Sequence, residues 1–239
     1  MMRITFLGTS HGVPEANQRC SCTMIEAGGR YYFVDMGVLP IEQLRTRMIS
    51  PDLVKGVFVT HMHGDHTNGL LSFVDLISWY FQMAEPVICL PSMAGVKVIS
   101  DWLSVNQVQM RPLEFRQVEP GTVFDDGVLK VTAVATQHCE NSFAYVAEAD
   151  GKRVLFTGDL RRPDVDFPQI AREKEMDLVI CEAAHFPATE YEPILRECKV
   201  KKVCVNHYAP WNIPYIQKLE GNMKELPVVL VHDGTEIVL

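Results

Sequence analysis

The chain is 239 residues long and carries a formal charge of −8, with 22 Lys and Arg set against 30 Asp and Glu. At 47% hydrophobic and 22% charged residues it has the make-up of a soluble globular protein, and its length fits one large domain, residues 1–239. No apolar run approaches the length of a membrane span. Met1–Ser10 has one charge and runs into a strand, so it does not read as a signal peptide, and the acidic excess opposes gripping the many phosphates of a long nucleic acid. The expectation is therefore a cytoplasmic protein with a small substrate and no membrane partner. The basic clusters Arg161-Arg162 and Lys199-Lys201-Lys202 read as solvated loop charges. The seven cysteines are odd in number and irregular in spacing, which is no disulfide framework. Cys89, Cys181 and Cys204 lie in apolar runs and read as small buried hydrophobes, and Cys20 and Cys22 read as free thiols.

In chain order, short apolar runs bounded by turn residues predict strands over Arg3–Leu7, Cys22–Glu26, Tyr31–Asp35 and Gly56–Thr60. Further strands are predicted over Pro86–Cys89, Glu114–Val118, Val128–Ala135, Phe143–Ala147 and Arg153–Thr157, then Asp177–Cys181, Val200–Val205, Val228–Val231 and Thr235–Val238. Helices are predicted over Pro40–Arg47, Thr67–Met83, Ser92–Leu103, Pro168–Glu173 and Pro214–Leu219, several with proline at the start, where no N–H is needed. Many strands among a few helices predict an α+β fold: an αββα sandwich of two mixed β-sheets with outer helices. Trp79-Tyr80-Phe81 ends a long helix that is apolar on several sides, and is read as core or as the contact of a homodimer.

The densest chemical signal is His61-Met62-His63-Gly64-Asp65-His66, directly after the apolar run Val57–Thr60. Three imidazoles and a carboxylate at the end of a buried strand suit zinc, manganese or iron, and Gly64 is expected to let the backbone curl so that they converge. Later residues of the same types also follow apolar runs: His138 after Val128–Ala135, Asp159 in Phe156-Thr157-Gly158-Asp159, and His207 after Val203–Asn206.

This pattern resembles the metallo-β-lactamase-fold hydrolases. The opening Arg3–Pro14, the Phe33-Val34-Asp35-Met36-Gly37 stretch and Cys181-Glu182-Ala183-Ala184 are similar to the tRNA 3′-endonuclease branch and its small cyclic-phosphodiesterase relatives. The resemblance implies one metal on His61, His63 and His138, and a second on Asp65, His66 and His207, with Asp159 between them. Zinc is the first choice and manganese the second. A metal-bridging hydroxide is the expected nucleophile, with Asp65, His185 and Glu182 in catalytic roles. His185 would be the acid for the leaving group and Glu182 its orienting partner. Asp35 is the candidate to hold a ligand imidazole from behind. His11 is a candidate substrate contact, and Tyr208, Trp211 and Phe186 are candidate aromatic faces for a base.

There are departures from the branch. The tRNA endonucleases of this family carry a long arm between the third His and the bridging Asp. Here His138 and Asp159 are 159 − 138 = 21 residues apart, room only for a hairpin. Their His-Ser-Thr segment is absent between Glu182 and His207, and Cys20 and Cys22 lack the third cysteine of a structural zinc site. The leading expectation is a two-metal phosphodiesterase for a small cyclic or short nucleotide, similar to arm-less phage-type enzymes. The alternatives are an RNA-processing endonuclease of the same branch, a lactone or thioester hydrolase, and a metal-holding or redox-sensing module.

Overall fold

The computed structural model describes residues 1–239. Fourteen strands form in chain order: β1 Met2–Gly8, β2 Cys22–Ala27, β3 Arg30–Val34, β4 Val54–Phe58, β5 Val87–Leu90, β6 Glu114–Gln117, β7 Gly121–Asp125, β8 Lys130–Ala135, β9 Phe143–Ala149, β10 Lys152–Phe156, β11 Leu178–Ala183, β12 Val203–Tyr208, β13 Val228–Leu230 and β14 Glu236–Val238. The helices are α1 Pro40–Thr46, α2 Gly64–Thr67, α3 Leu70–Trp79, α4 Ala94–Val105, α5 Pro163–Asp166, α6 Ile170–Glu173, α7 Glu192–Leu195 and α8 Ile213–Asn222. None is long and apolar enough to cross a membrane.

The strands make two seven-stranded sheets, ordered β14-β1-β2-β3-β4-β5-β6 and β13-β12-β11-β10-β9-β8-β7. Each is mixed in the same way. In the first, β14, β1, β2 and β3 pair antiparallel and β3 to β6 pair parallel. In the second, β7 to β10 pair antiparallel and β10 to β13 pair parallel. The two halves thus repeat one pairing plan, a symmetry that no residue pattern reveals.

Burial explains the layers. Ile4, Phe6, Tyr32 and Phe58 of the first sheet meet Val131, Tyr145, Phe156 and Ile180 of the second in a core of 24 buried residues. Two further cores, of 20 and 22 buried residues, lie between each sheet and its outer helices. Both faces of the central strands are therefore covered, and this is why they read as unbroken apolar runs. The result is the expected αββα sandwich.

Some elements differ from expectation. The helix predicted over Thr67–Met83 is shorter, Leu70–Trp79, and Gly69 before it lies so close to Val38 that a Cβ there would be 1.6 Å from the Val38 carbonyl oxygen. Trp79 and Tyr80 are not core: they stand 52% and 62% exposed at the end of α3. Strand β7 was not anticipated. It is an edge strand with mostly exposed positions, so it carries no apolar run.

Candidate metal centre

The site lies beyond the carboxyl ends of the parallel strands of both sheets, where open sheets carry ligands. His61 follows β4 and is fully buried. His63 caps α2, whose single turn is closed by Asn68 N–H donating to Gly64 O (2.7 Å) and Thr67 Oγ1 donating to His63 O (2.9 Å). That turn brings Asp65 and His66 inward. Gly64 starts this helical turn with no positive φ, and the turn is the curl by which the side chains converge.

His138 lies in the loop between β8 and β9, and Asp159 follows β10. Gly158 before it has φ +59, and a Cβ there would sit 2.8 Å from Phe143 O, so the turn requires glycine. His207 sits within β12 at φ 45, opposite a register irregularity between Cys181 and Ala183.

All seven expected ligand residues meet, in two clusters. In the first, His63 Nδ1 lies 2.9 Å from His61 Nε2 and 3.3 Å from His138 Nε2. Asp159 Oδ2 is 3.6 Å from His61 Nε2 and 3.7 Å from His138 Nε2. In the second, His66 Nε2 is 3.2 Å from Asp65 Oδ2, and Asp159 Oδ1 is 3.5 Å from His66 Nε2 and 3.4 Å from His207 Nε2. The two Asp159 oxygens face different clusters.

These separations suit metal ions. Zinc bonded to nitrogen at about 2.0–2.1 Å in a tetrahedron has ligand-to-ligand edges of ~3.4 Å. His66 Nε2, His207 Nε2 and Asp159 Oδ1 are buried and have no hydrogen-bond partner, which is costly unless a cation takes them.

The nitrogens facing away from the clusters are anchored. His66 Nδ1–H donates to Asp35 Oδ2 (2.8 Å) and His207 Nδ1–H to Ser10 O (2.8 Å), while Thr60 Oγ1 lies 3.1 Å from His61 Nδ1. Asp35 Oδ1 in turn accepts Thr60 N–H and Oγ1–H at 2.8 and 3.0 Å. Such contacts fix ring orientation and tautomer.

The electrostatics suit ligation at the first cluster and at both carboxylates. Burial, reinforced by the charge of His66, pushes His61 down to about 2, and burial lowers His138. Burial works against ionising Asp65, but His66 outweighs it and holds Asp65 at about 2; His207 and His66 hold Asp159 well below the usual carboxylate range in the same way. Neutral imidazoles and ionised carboxylates are the forms that bind metal; His66 and His207, which Asp159 raises against their burial, would each have to release a proton on binding it.

Glu182 and His185 also come to the site. His185 Nδ1–H donates to Glu182 Oε2 at 2.8 Å, and its Nε2 lies 3.8 Å from Asp159 Oδ2. Glu182 is buried and is held by the backbone N–H groups of Leu160 and Ala184 at 2.8 and 3.0 Å. Burial opposes charging His185, yet the hydrogen bond and charge of Glu182 prevail and lift it to about 9.

Residues 30–208 match the β-lactamase superfamily domain. The chain belongs to that superfamily of metal-dependent hydrolases. Among curated relatives, ribonuclease Z of Bacillus velezensis is 30% identical over 170 residues, covering 69% of this chain and 54% of the relative. Ribonuclease Z of Bacillus subtilis is 32% identical over 155 residues, covering 62% and 50%. The chain thus spans about half the length of the curated relatives it matches. Among solved structures, the short form of human tRNase Z superposes with a TM-score of 0.78 at 20% identity, covering 99% of this chain and 98% of that one. The metallo-β-lactamase fold protein YhfI from Bacillus subtilis gives 0.82 at 17% identity, with both chains fully covered. Both superpositions speak for the fold of the superfamily.

Some of the aromatic candidates do not face the site. Tyr208 and Phe186 are core, at 1% and 5% exposure, and the Tyr208 hydroxyl pairs with His232 Nδ1 at 2.8 Å. Cys20 and Cys22 are buried and free. Two contributors escaped sequence reasoning. The Ser10 carbonyl that holds His207 has no side-chain signature. Asp233, which accepts Thr9 N–H and Arg19 N–H at 2.9 Å each and so fixes the Ser10 loop, reads in sequence only as an Asp-Gly turn.

Proposed function

We propose that the chain is a two-metal phosphodiesterase. The observation that carries this reading is Asp159, whose Oδ2 faces the His61–His63–His138 cluster while its Oδ1 faces the cluster of Asp65, His66 and His207. The former residues would hold one divalent ion, the latter the second, and Asp159 would join both. Zinc suits the nitrogen-rich first cluster, and manganese is the second candidate. When bound, such a pair acidifies water and draws charge from phosphoryl oxygens. His61, His66 and His207 are preorganised for that task by Thr60, Asp35 and the Ser10 carbonyl. Beside them, His185 Nε2–H is the proton donor for the leaving oxygen, and Glu182 holds its ring in the donating orientation.

As to substrate, the curated relatives are ribonucleases Z, which supports cleavage of an RNA phosphodiester over the small cyclic nucleotide favoured by the sequence reading. The small-substrate reading keeps two observations. The charge is −8, and the segment between His138 and Asp159 is the plain hairpin β9–β10, turning at Asp150-Gly151 with no protruding arm. A homodimer through the exposed Trp79-Tyr80 end of α3 is part of the proposal and is read from sedimentation mass.

The test is hydrolysis of precursor tRNA, 2′,3′- and 3′,5′-cyclic nucleotides, a nitrophenyl phosphodiester and a lactone by protein reconstituted separately with zinc and with manganese. Cleavage of precursor tRNA favours the RNA reading. Cleavage of cyclic nucleotides alone favours the small substrate, and hydrolysis of the lactone alone sinks the phosphodiesterase. For the proton donor, His185→Ala is expected to slow an alkoxide-leaving diester about 100-fold or more and a nitrophenolate ester far less. Equal slowing of both would remove His185 from that role.

A further inference from the structure

We propose that Trp211, with His11 beside it, forms a stacking platform for the base of a nucleotide whose phosphodiester lies at the two clusters. The inference rests on the phosphodiesterase reading above and adds to it how the non-reacting part of the substrate is held. Three aromatic side chains close to His185 and His207 in sequence compete for this task. Phe186 and Tyr208 are consumed by the core between the second sheet and its helices. Trp211 is 64% exposed.

An exposed indole is held in place here. Pro210–Asn212 forms a single helical turn in which Asn212 N–H donates to Ala209 O at 2.9 Å, and the Asn212 side chain donates to Ala183 O at 2.6 Å, at the end of β11. The Trp211 ring meets the His11 ring at 5.0 Å between centroids with the planes at 66°. His11 is itself fixed, with its Nε2 3.1 Å from Glu15 Oε1. The preceding residue, Ser10, accepts the His207 Nδ1–H, and the following one, Gly12, comes so close to Asp65 that a Cβ there would lie 3.8 Å from Asp65 Oδ2. The aromatic pair therefore stands at the rim of the second cluster, hydrogen-bonded through Ser10 to His207 and close through Gly12 to Asp65. Tyr215, one turn further on in α8, is also 45% exposed.

A rigid, exposed ring beside a phosphate-handling site suits the flat face of a base, which stacks without regard to its identity. Such a platform serves an RNA end and a small nucleotide alike. It contributes binding in the ground state and the transition state equally, so its loss falls on KM and leaves kcat in place.

The experiment compares two diesters with the same nitrophenolate leaving group, thymidine 5′-(4-nitrophenyl) phosphate and methyl 4-nitrophenyl phosphate, on zinc-loaded protein. Trp211→Ala is expected to raise KM about tenfold for the thymidine ester, which is about 1.4 kcal/mol, with kcat unchanged and the methyl ester unaffected. Trp211→Phe should restore most of the loss. An equal change on both esters, or none on either, overturns the platform. A second measurement does not depend on turnover. With Trp79 and Trp102 replaced by Phe, the emission of Trp211 should be quenched saturably by thymidine 5′-monophosphate and not by deoxyribose 5-phosphate. Equal quenching by both, or none, overturns the proposal. Should neither ester be hydrolysed by the unsubstituted protein, the phosphodiesterase reading fails, and the quenching still decides the platform by itself.

Discussion

Asp35 and His207 both hold left-handed backbone angles, φ 61 and φ 45. Neither is glycine, and each such conformation costs on the order of 1–3 kcal/mol unless its surroundings fix it. For His207 the surroundings are the Ser10 carbonyl and the Tyr208 N–H to Thr9 O bond of 3.1 Å. For Asp35 they are Thr60 and His66, which direct donors at its two oxygens. Asp35→Ala would leave the Thr60 N–H and His66 Nδ1–H buried and unpartnered, at about 1–3 kcal/mol for each group. The His66 ring would also lose its orientation, so the ion at the second cluster is expected to bind about 10–100-fold more weakly, with the first cluster little changed. Chelator competition followed by metal counting measures both. Wild-type affinity at both clusters would mean that Asp35 does not orient the centre.

Among the elements, the hairpin β7–β8 is tied to the opposite sheet by one carboxylate. Asp126, in its turn, accepts the N–H groups of Val128 and Leu129 at 3.0 and 2.9 Å, and reaches Arg30 and Tyr32 of β3 at 2.7 and 2.8 Å. Burial works against its charge, but the Leu129 N–H and Arg30 hold Asp126 below the usual carboxylate range. Because the folded value is depressed, its stabilisation is complete above the unfolded value of about 3.9 and is lost as the pH falls through the folded one. Asp126→Asn should therefore lower the melting temperature at pH 7 by roughly 2–12 °C, taking 1–3 kcal/mol for the charge-assisted bonds and 2–4 °C per kcal/mol at this chain length. The gap between variant and wild type should narrow progressively below about pH 4. Thermal melts at pH 7, 4 and 3 test this, and a gap that stays constant with pH would assign the loss to packing. The same element marks a limit of sequence reading. Strands buried on both faces, such as β4 and β11, announced themselves as apolar runs, whereas edge strand β7 offers only Val123 and Phe124 between exposed positions.

Across the whole molecule, the residue types of the centre were legible because metal ligation admits few side chains, and strand ends are visible where apolar runs stop. What tied them together was less legible. The Ser10 carbonyl and Asp233 act through backbone groups, and the exposure of Trp211 depends on which face of the chain the two sheets leave uncovered. Substrate is the least legible of all, because the same donors can activate water against phosphorus or a carbonyl carbon. The centre also has a structural consequence. His61, His63, Asp65 and His66 follow a strand of the first sheet, while His138, Asp159 and His207 belong to the second. Ions held between them would join the two sheets at the carboxyl ends of their strands. A ligand that binds only the folded state stabilises it by about 4 kcal/mol at a thousand times its dissociation constant. For a chain of this length, stripping one such ion with a chelator should lower the melting temperature by roughly 8–16 °C, and adding zinc should restore it. Asp159→Asn, which takes the charge from the group facing both clusters, should shrink that chelator-induced shift by more than half. A melting temperature indifferent to chelator and to zinc would show that the seven side chains meet without holding metal.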